Sequence, residues 1–329
     1  MRPGLVYLSF VAMIPLAASI DTGEQDRGSI LRTALAASDG RRIVDVLRES
    51  QQSAIALSSY GEKAALMREI SAPFSAIAWR GTETLRLLSE VESACRSEEF
   101  LLHLALTRIP WDVLEEATML DSVPCHLPDK IEHGLIALRN APDPDWFAIA
   151  ATTVCYRLPE KIKYDAAVDS ARVYLAHPGM SEAARAAVSC AVGRLMATRL
   201  VLQSSHHPPL PEEVCEAESL LQAARQSAGA SEGLWAAATL ELASLRFATG
   251  DSSAAEKMLE DVIAHPDVPA IQKADACASL AHSAERRERW ELALARWVEL
   301  KNLDQEHAIH LGFDLDNRIQ ELKQKLEER

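Results

Sequence analysis

Two histidine pairs are the residues of this sequence whose spacing could bind a metal ion. His307 and His310 lie three residues apart, so a helix would place both imidazoles on one face. His206 and His207 are adjacent in a proline-rich segment, and adjacent side chains point in different directions. The sequence identifies no third ligand for either pair, and zinc requires three or four. We therefore expect surface histidines and no metal site.

The segment Asp314 to Asn317, DLDN, begins like a calcium-binding loop. It lacks the central glycine and the distal glutamate that such a loop requires. An aspartate before an apolar helical pattern commonly accepts hydrogen bonds from the first helical amides. We expect this segment to cap the N-terminus of a helix.

Motifs for catalysis do not occur in the chain. The sequence contains no glycine-rich phosphate loop, no HExxH and no GxSxG. We predict a protein that is not an enzyme, with no catalytic residue and no cofactor. An enzyme whose groups are dispersed along the sequence is the alternative.

The cysteines and the tryptophans of this sequence each allow two interpretations of their role. An even number of cysteines in an exported protein can form disulfides, but small thiols also suit close helix packing, and no CxxC pair occurs. The tryptophans are more typical of packing anchors than of a carbohydrate-binding platform. These residues are Cys95, Cys125, Cys155, Cys190, Cys215 and Cys277, and Trp79, Trp111, Trp146, Trp235, Trp290 and Trp297.

The first nineteen residues have the pattern of a secretory signal peptide. Arg2 precedes an uncharged apolar run from Leu5 to Leu16, and Ala17 to Ser19 supplies small residues for cleavage. This pattern predicts a mature chain that begins near Ile20 and is exported to the periplasm or the extracellular space. An uncleaved anchor is the alternative, although the run is short for a bilayer span. In that case the chain would contact a membrane through this segment alone.

The net charge restricts the class of partner. The formal charge is −14, which becomes −15 without the signal segment, whose only charge is Arg2. Such a surface repels phosphate backbones, so we do not expect nucleic-acid binding. A protein or peptide partner with a basic stretch fits this charge.

The rest of the chain predicts an all-α fold. Aromatic residues make up only 5% of the chain, and apolar residues recur at helical spacing between short connections that contain Pro, Gly, Asn or Asp. Short connections between helices produce antiparallel hairpins. In this pattern Pro73 lies near the start of a helix, Asp145 is an N-cap, and Pro159 marks a helix boundary.

One spacing occurs twice near the C-terminus. Leu242-Ala243 is followed by Ala255, and Leu280-Ala281 is followed by Ala293, each thirteen residues after the leucine. Small residues at these positions allow the two helices of a hairpin to cross closely. Further shared positions are Gly250-Asp251, Leu259 and Pro266 in the first segment, and Trp290 and Trp297 in the second, where Glu288 replaces the turn glycine.

These positions resemble the tetratricopeptide repeat, a 34-residue helical hairpin with a leucine-small pair in helix A and an alanine in helix B. A third, looser match comprises Val154-Cys155, Ala167, Ala171 and Pro178. The resemblance implies a tetratricopeptide-like α-solenoid over residues 141–305. Residues 20–140 would be diverged repeats or another helical array. Residues 306–329 would form a capping helix, with a coiled-coil seam as the alternative.

The resemblance also implies a binding face. In the tetratricopeptide frame the inner face consists of fixed helix-A positions around the leucine, and its mixture of aromatic and charged groups suits an extended peptide. The alternative is that the aromatic residues belong to the core. The implied peptide-binding residues are Tyr156, Ser244, Phe247, Asp275, His282, Glu285 and Arg286.

Together these features predict an exported, non-enzymatic helical-repeat scaffold or protein–protein interaction module of the cell envelope. One alternative is a helical accessory region of an envelope enzyme that acts on peptidoglycan or polysaccharide. Another is a purely structural secreted protein.

Overall fold

The computed structural model describes residues 27–77, 82–109, 129–204, 210–227, 229–307 and 314–327. These residues form α-helices and no strand, which confirms the predicted all-α class. The predicted signal peptide, His206, His207, His310, Trp79, Trp111 and Cys125 lie outside the described residues. The helices are α1 (Arg27–Ala36), α2 (Gly40–Ala56), α3 (Tyr60–Ser75), α4 (Thr82–Ser93), α5 (Phe100–Leu106), α6 (Lys130–Arg139), α7 (Pro144–Lys161), α8 (Tyr164–Leu175), α9 (Glu182–Ser204), α10 (Pro211–Gln226), α11 (Glu232–Ala248), α12 (Ser252–Ala264), α13 (Ala270–Arg286), α14 (Trp290–His307) and α15 (Leu315–Glu327).

The described residues form two compact units. The N-terminal unit comprises the described residues up to Leu195, together with Ser227 and Gly229, and the C-terminal unit comprises the others from Met196 onward. The predicted domain boundary at residue 140 lies inside the N-terminal unit. In the C-terminal unit consecutive helices from α10 to α15 pack in order, and α11 also contacts α13. Packing between neighbours is the arrangement of a solenoid-like helical array.

The N-terminal unit has its own hydrophobic core. α1 packs on α2 and α3, α5 packs on α2, α3 and α6, and α7 packs on α3 and α6. Trp146 is fully buried in this core, where its Nε1 donates a hydrogen bond of 3.2 Å to the carbonyl of Ala54. Phe100 lies edge-on to this indole at 5.0 Å between ring centroids. Trp146 is therefore a packing anchor, as the sequence predicts.

Small residues lie at the hairpin crossings of both repeated segments. Every leucine, alanine or tryptophan that the repeat pattern assigns to a crossing is at most 5% exposed. Close packing leaves no room for a larger side chain at the alanines. These buried residues are Leu242, Ala243, Ala255 and Leu259 in α11 and α12, and Leu280, Ala281, Ala293 and Trp297 in α13 and α14.

The two hairpins also share one turn geometry. Gly250 has a φ of 91°, and Glu288, at the equivalent position, has a φ of 55°. In both turns the next residue donates its N–H to a carbonyl five residues earlier, from Asp251 to Arg246 and from Arg289 to Ala284, at 2.9 Å each. This is the hydrogen-bond pattern of a left-handed helix C-terminus. Glu288 thus adopts the conformation of the glycine that it replaces.

The same turn joins α1 to α2, in the part of the chain where the sequence gives no repeat register. Ser38 has a φ of 53°, and the N–H of Asp39 donates to the carbonyl of Ala34 at 2.9 Å. Asp39 then caps α2 by accepting from the N–H of Arg42, as Asp251 caps α12 by accepting from Ala254. The α1–α2 hairpin therefore repeats the turn of both C-terminal hairpins and the aspartate cap of the first, without their alanines.

Replacing Glu288 tests the backbone cost of this turn. An L-residue in the left-handed region costs about 1–2 kcal/mol relative to glycine. Both Glu288→Gly and Glu288→Ala remove the side-chain contacts, but only glycine removes the Cβ. In urea unfolding we expect the glycine variant to be more stable than the alanine variant by about 1 kcal/mol. Equal stabilities of the two variants would contradict a strained turn.

Three predicted helix boundaries are wrong. The N-cap of α7 is Asp143 and not Asp145, because Pro144 occupies the first helical position, where a missing N–H costs nothing. Pro73 lies near the end of α3, not at the start of a helix, and the N–H of Ala76 closes the last turn on the carbonyl of Ala72. Pro159 likewise lies inside the last turn of α7. A proline this close to a C-terminus removes only one hydrogen bond.

The predicted cap of the last helix is confirmed. Asp314 Oδ1 accepts a hydrogen bond of 2.9 Å from the N–H of Asn317 at the start of α15. Leu315, Ile319 and Leu322 are buried against the core that α13 and α14 form. The apolar stripe of α15 therefore packs within the C-terminal unit.

The cysteines of the described ranges form no disulfide bond with one another. Cys155, Cys190 and Cys277 are buried and Cys215 is exposed. Burial raises the pKa of Cys95, Cys155 and Cys277 to about 12, so these thiols are protonated at neutral pH. The buried cysteines of the described ranges thus act as small packing residues.

Candidate interaction surface

The residues of the implied binding face lie in both units. Tyr156 belongs to α7 of the N-terminal unit, and its side chain is exposed. The other six lie in the C-terminal unit on α11 and α13, two helices that contact each other directly. Of these, Ser244 and Phe247 lie on α11, and Asp275, His282, Glu285 and Arg286 lie on α13.

Phe247 and Ser244 are both partly buried. The Phe247 ring packs against a core cluster that contains Ala243, Leu259 and Leu280. Phe247 therefore combines a packing role with a partly accessible ring. It can contact a ligand only with the edge that the cluster leaves uncovered.

Glu285 has internal partners that the sequence does not indicate. Its Oε1 accepts hydrogen bonds from Trp297 Nε1 at 2.6 Å and from Arg318 Nε at 3.1 Å, and its Oε2 pairs with Arg318 Nη2. The Glu285 side chain is only 10% exposed. These contacts connect α13 to α14 and to the last helix, α15. Glu285 is therefore a structural residue of the C-terminal unit rather than a free carboxylate on a binding face.

The remaining α13 residues form the accessible part of this face. His282 and Arg286 are exposed, and Asp275 is partly buried. The His282 ring lies edge-on to Trp297, with 5.0 Å between ring centroids. Although the residue is exposed, partial desolvation of the ring beside this indole lowers the pKa of His282, so the imidazole is neutral at neutral pH. Together with Ser244 and Phe247, we call these residues the α11–α13 face.

A polar cleft between α10 and α11 is a site that the sequence does not predict. The cleft has a volume of about 440 Å³ and is lined by Gln222, Arg225 and Gln226 of α10 and by Trp235 of α11. The Arg225 guanidinium lies 5.5 Å from the centre of the Trp235 ring. Glutamine side chains can hydrogen-bond an extended backbone, and an indole can cover an apolar side chain. The spacing of the three polar residues on one helical face is the only signal in the sequence.

Contacts at the N-terminal end of α11 hold the Trp235 ring in place at the cleft. Ser231 caps this helix by accepting a hydrogen bond of 3.2 Å from the N–H of Leu234. On the next turn Trp235 lies 5.1 Å from the His265 ring, and His265 Nε2 lies 3.4 Å from a Glu232 carboxylate oxygen. Gln272 Nε2 donates a hydrogen bond of 2.7 Å to the carbonyl of Gly233, which connects α13 to the same end of α11. These contacts fix the position of the indole.

The described residues contain neither a candidate metal site nor a helix that could span a membrane. Within the described ranges, no group of three or more His, Cys, Asp or Glu side chains could hold a metal ion. None of the helices in those ranges has the length and hydropathy of a bilayer span. No family model, curated protein or solved structure matches the chain.

Proposed function

We propose that this chain is an exported, non-enzymatic helical-repeat protein that binds an extended segment of another protein in the cell envelope. The observation that carries the proposal is the stacking of two equivalent hairpins, α11–α12 and α13–α14. Because α11 contacts α13, this stacking supports a binding face to which both helices contribute.

The tetratricopeptide resemblance supports this function. Both hairpins bury the leucine and the alanines of the repeat pattern, and both end helix A in the same left-handed turn. In such arrays the repeats bury their own core and leave one helix of each hairpin for ligands. The matching helix in this chain is α11 in the first hairpin and α13 in the second.

The chemistry of the surface suits a peptide. The α11–α13 face combines a partly accessible phenyl ring with polar groups, and the cleft beside α10 adds two glutamines and an indole. A surface that mixes aromatic and polar groups in this way suits the main-chain groups and a few side chains of an extended peptide. The signal-like N-terminus supports export, and the formal charge of −14 favours a basic partner segment.

A matched pair of aspartate variants tests the proposed surface. Asp275→Asn removes a charge from the face, and Asp267→Asn removes the same charge from an exposed position after α12. We expect Asp275→Asn to weaken the binding of a lysine-rich peptide roughly fivefold, which corresponds to about 1 kcal/mol for one surface charge. Fluorescence polarisation with the labelled peptide measures the change.

Asp267→Asn should leave this affinity unchanged. Equal weakening by both variants would show that the peptide responds only to the overall charge. No binding of basic, neutral or acidic peptides would contradict the proposed function.

A further inference from the structure

The cleft between α10 and α11 lies where one helix ends and the next begins. Arg225 and Gln226 occupy the last turn of α10, and Trp235 is the fourth residue of α11. Gln222 precedes Arg225 by three positions and Gln226 by four, so the three polar side chains lie on one face of α10. The volume of about 440 Å³ is in the range of small-molecule sites. One face of α10 and one indole therefore line a cavity that can hold a small ligand.

The packing of α10 explains why these side chains are accessible. Leu221 and Ala224 are fully buried, and each is followed in the sequence by a residue of the cleft. Gln222 and Gln226 are exposed, and Arg225 is partly buried. The polar side chains thus border the packed interface, and a ligand can reach them without moving the core.

Arg225 supplies the positive charge of the cleft. Its guanidinium lies 5.5 Å from the centre of the Trp235 ring, and an aromatic ring attracts a cation in this position. Arg225 makes no ion pair with any residue of the described ranges. Its charge is therefore open to an anionic group of a ligand.

The acidic side chains nearest to Arg225 in the sequence have other partners. On α10, Glu218 Oε2 accepts a hydrogen bond of 3.0 Å from Arg246 Nη2. At the start of α11, a Glu232 carboxylate oxygen lies 3.4 Å from His265 Nε2. These carboxylates are part of contacts that hold α11 in place, and neither of them neutralises Arg225.

We propose that this cleft binds a small organic acid that carries hydroxyl groups beside its carboxylate, as a sugar acid does. In this site Arg225 pairs with the carboxylate, and Gln222 and Gln226 form hydrogen bonds with the hydroxyl groups. The part of the Trp235 ring that lines the cleft packs against the carbon skeleton of the ligand.

The charge and the hydrogen-bonding groups of the cleft favour this class of ligand. One guanidinium matches the single charge of a carboxylate and would leave half of a phosphate dianion unneutralised. A carboxamide donates and accepts hydrogen bonds, and so does a hydroxyl, so two glutamines suit a ligand with several hydroxyl groups. An acidic peptide shares the carboxylate but lacks the adjoining hydroxyl groups. The peptide is therefore the rival that the experiment must separate.

This inference goes beyond the proposed peptide binding and does not depend on it. Ser244 and Phe247, the α11 residues of the α11–α13 face, lie nine and twelve residues after Trp235. At 1.5 Å per residue, Ser244 is about 13 Å further along the helix. The cleft can therefore hold a ligand of its own.

Saturation-transfer NMR with the full chain measures the binding of weak small ligands. The probe is sodium glucuronate. The comparisons are glucose, which lacks the carboxylate, sodium acetate, which lacks the hydroxyl groups, and acetyl-glycyl-glutamyl-glycinamide, which places a carboxylate on a peptide. We expect glucuronate to bind at least tenfold more tightly than each comparison, because it alone satisfies both the guanidinium and the two carboxamides.

Variants of the cleft locate the site. We expect Arg225→Gln to weaken glucuronate binding at least tenfold, because it removes a charge-assisted contact, and Gln226→Ala to weaken it about threefold. Gln226 is exposed, so its variant tests the site even if Arg225→Gln fails to fold. Arg41→Gln removes the same charge from an exposed position of α2 and should leave the affinity unchanged.

Tryptophan fluorescence gives a second readout of position. Glucuronate should change the emission of the full chain, and Trp235→Phe should abolish this change while it keeps an aromatic ring in the cleft. The proposal would be overturned if glucuronate does not bind, if acetate or the glutamyl peptide binds as tightly, or if Arg225→Gln binds as well as Arg41→Gln. A fluorescence change that persists in Trp235→Phe would also overturn it. None of these results bears on the binding of a lysine-rich peptide by the α11–α13 face.

Discussion

Replacing Ala293 with arginine is expected to lower the free energy of unfolding by about 3 kcal/mol, because the substitution buries a charge at a close helix contact. Ala293 is fully buried in α14, in the cluster that contains Ala281 of α13. Urea unfolding followed by circular dichroism measures the loss. The chain offers a matched control in Ala295, which lies exposed on the same helix.

Ala295→Arg should change the stability by no more than about 0.5 kcal/mol. If Ala293→Arg fails to fold, Ala293→Leu tests the same contact without a charge, with an expected loss of about 1–3 kcal/mol from overpacking. An arginine at position 293 that costs no more than one at position 295 would show that the crossing is not close.

Acidification from pH 6.5 to about pH 4 is expected to remove about 3 kcal/mol of stability from the N-terminal unit through the His103–His133 pair. The two Nδ1 atoms lie 2.7 Å apart, and both rings are buried. Burial, together with the neighbouring His103, lowers the pKa of His133 from 6.5 to about 4. Burial also lowers the pKa of His103.

The hydrogen bonds of the pair identify its protonation. His103 Nε2 lies 3.0 Å from the carbonyl of Arg96, which can only accept, so this nitrogen carries the proton. His103 Nδ1 must then accept from the Nδ1–H of His133. A proton added to His103 Nδ1 would place two N–H groups against each other. The pair is therefore stable only while His103 is neutral.

The direction of the pH effect follows from these shifts. Below pH 6.5 the unfolded chain binds protons that the folded pair does not accept, so stability present above pH 6.5 is lost as the pH falls towards 4. Glu92 Oε1, 3.8 Å from His133 Nε2, and Asp129 both favour the charged form and limit the loss. Across the pair, Glu99 acts in the same direction on His103.

Unfolding at a series of pH values measures this loss. His133→Asn keeps a donor towards His103 and removes the titrating ring, so its stability should vary less between pH 6.5 and 4 than that of the unmodified chain. His307→Asn, at an exposed position of α14, is the control and should keep the original slope. An unchanged slope in His133→Asn would contradict the assignment.

The sequence predicts contacts within one hairpin better than contacts between distant helices. Leu242 and Ala255 lie thirteen residues apart, so helical spacing alone brings them to one crossing. The turn at Glu288 is predicted only because the surrounding positions resemble the first hairpin. By residue type alone, either Asp143 or Asp145 could be the N-cap of α7. The preference of proline for the first helical position could have decided between them, because it selects the residue before Pro144.

Several side-chain contacts join residues that lie far apart in the sequence. Glu285 meets Arg318 thirty-three residues later, and no local pattern marks that pair. Likewise, His103 and His133 come together across thirty residues. Packing creates these sites, and periodicity alone does not predict them.

The binding role of the α11–α13 face is tested most directly by photo-crosslinking. A photoreactive residue in place of Arg286 lies on this face, and one in place of Ala295 lies exposed on α14. With a bound lysine-rich peptide, we expect crosslinks from position 286 and none from position 295. Crosslinks from position 295 in place of 286, or from neither position while the peptide is bound, would contradict the account.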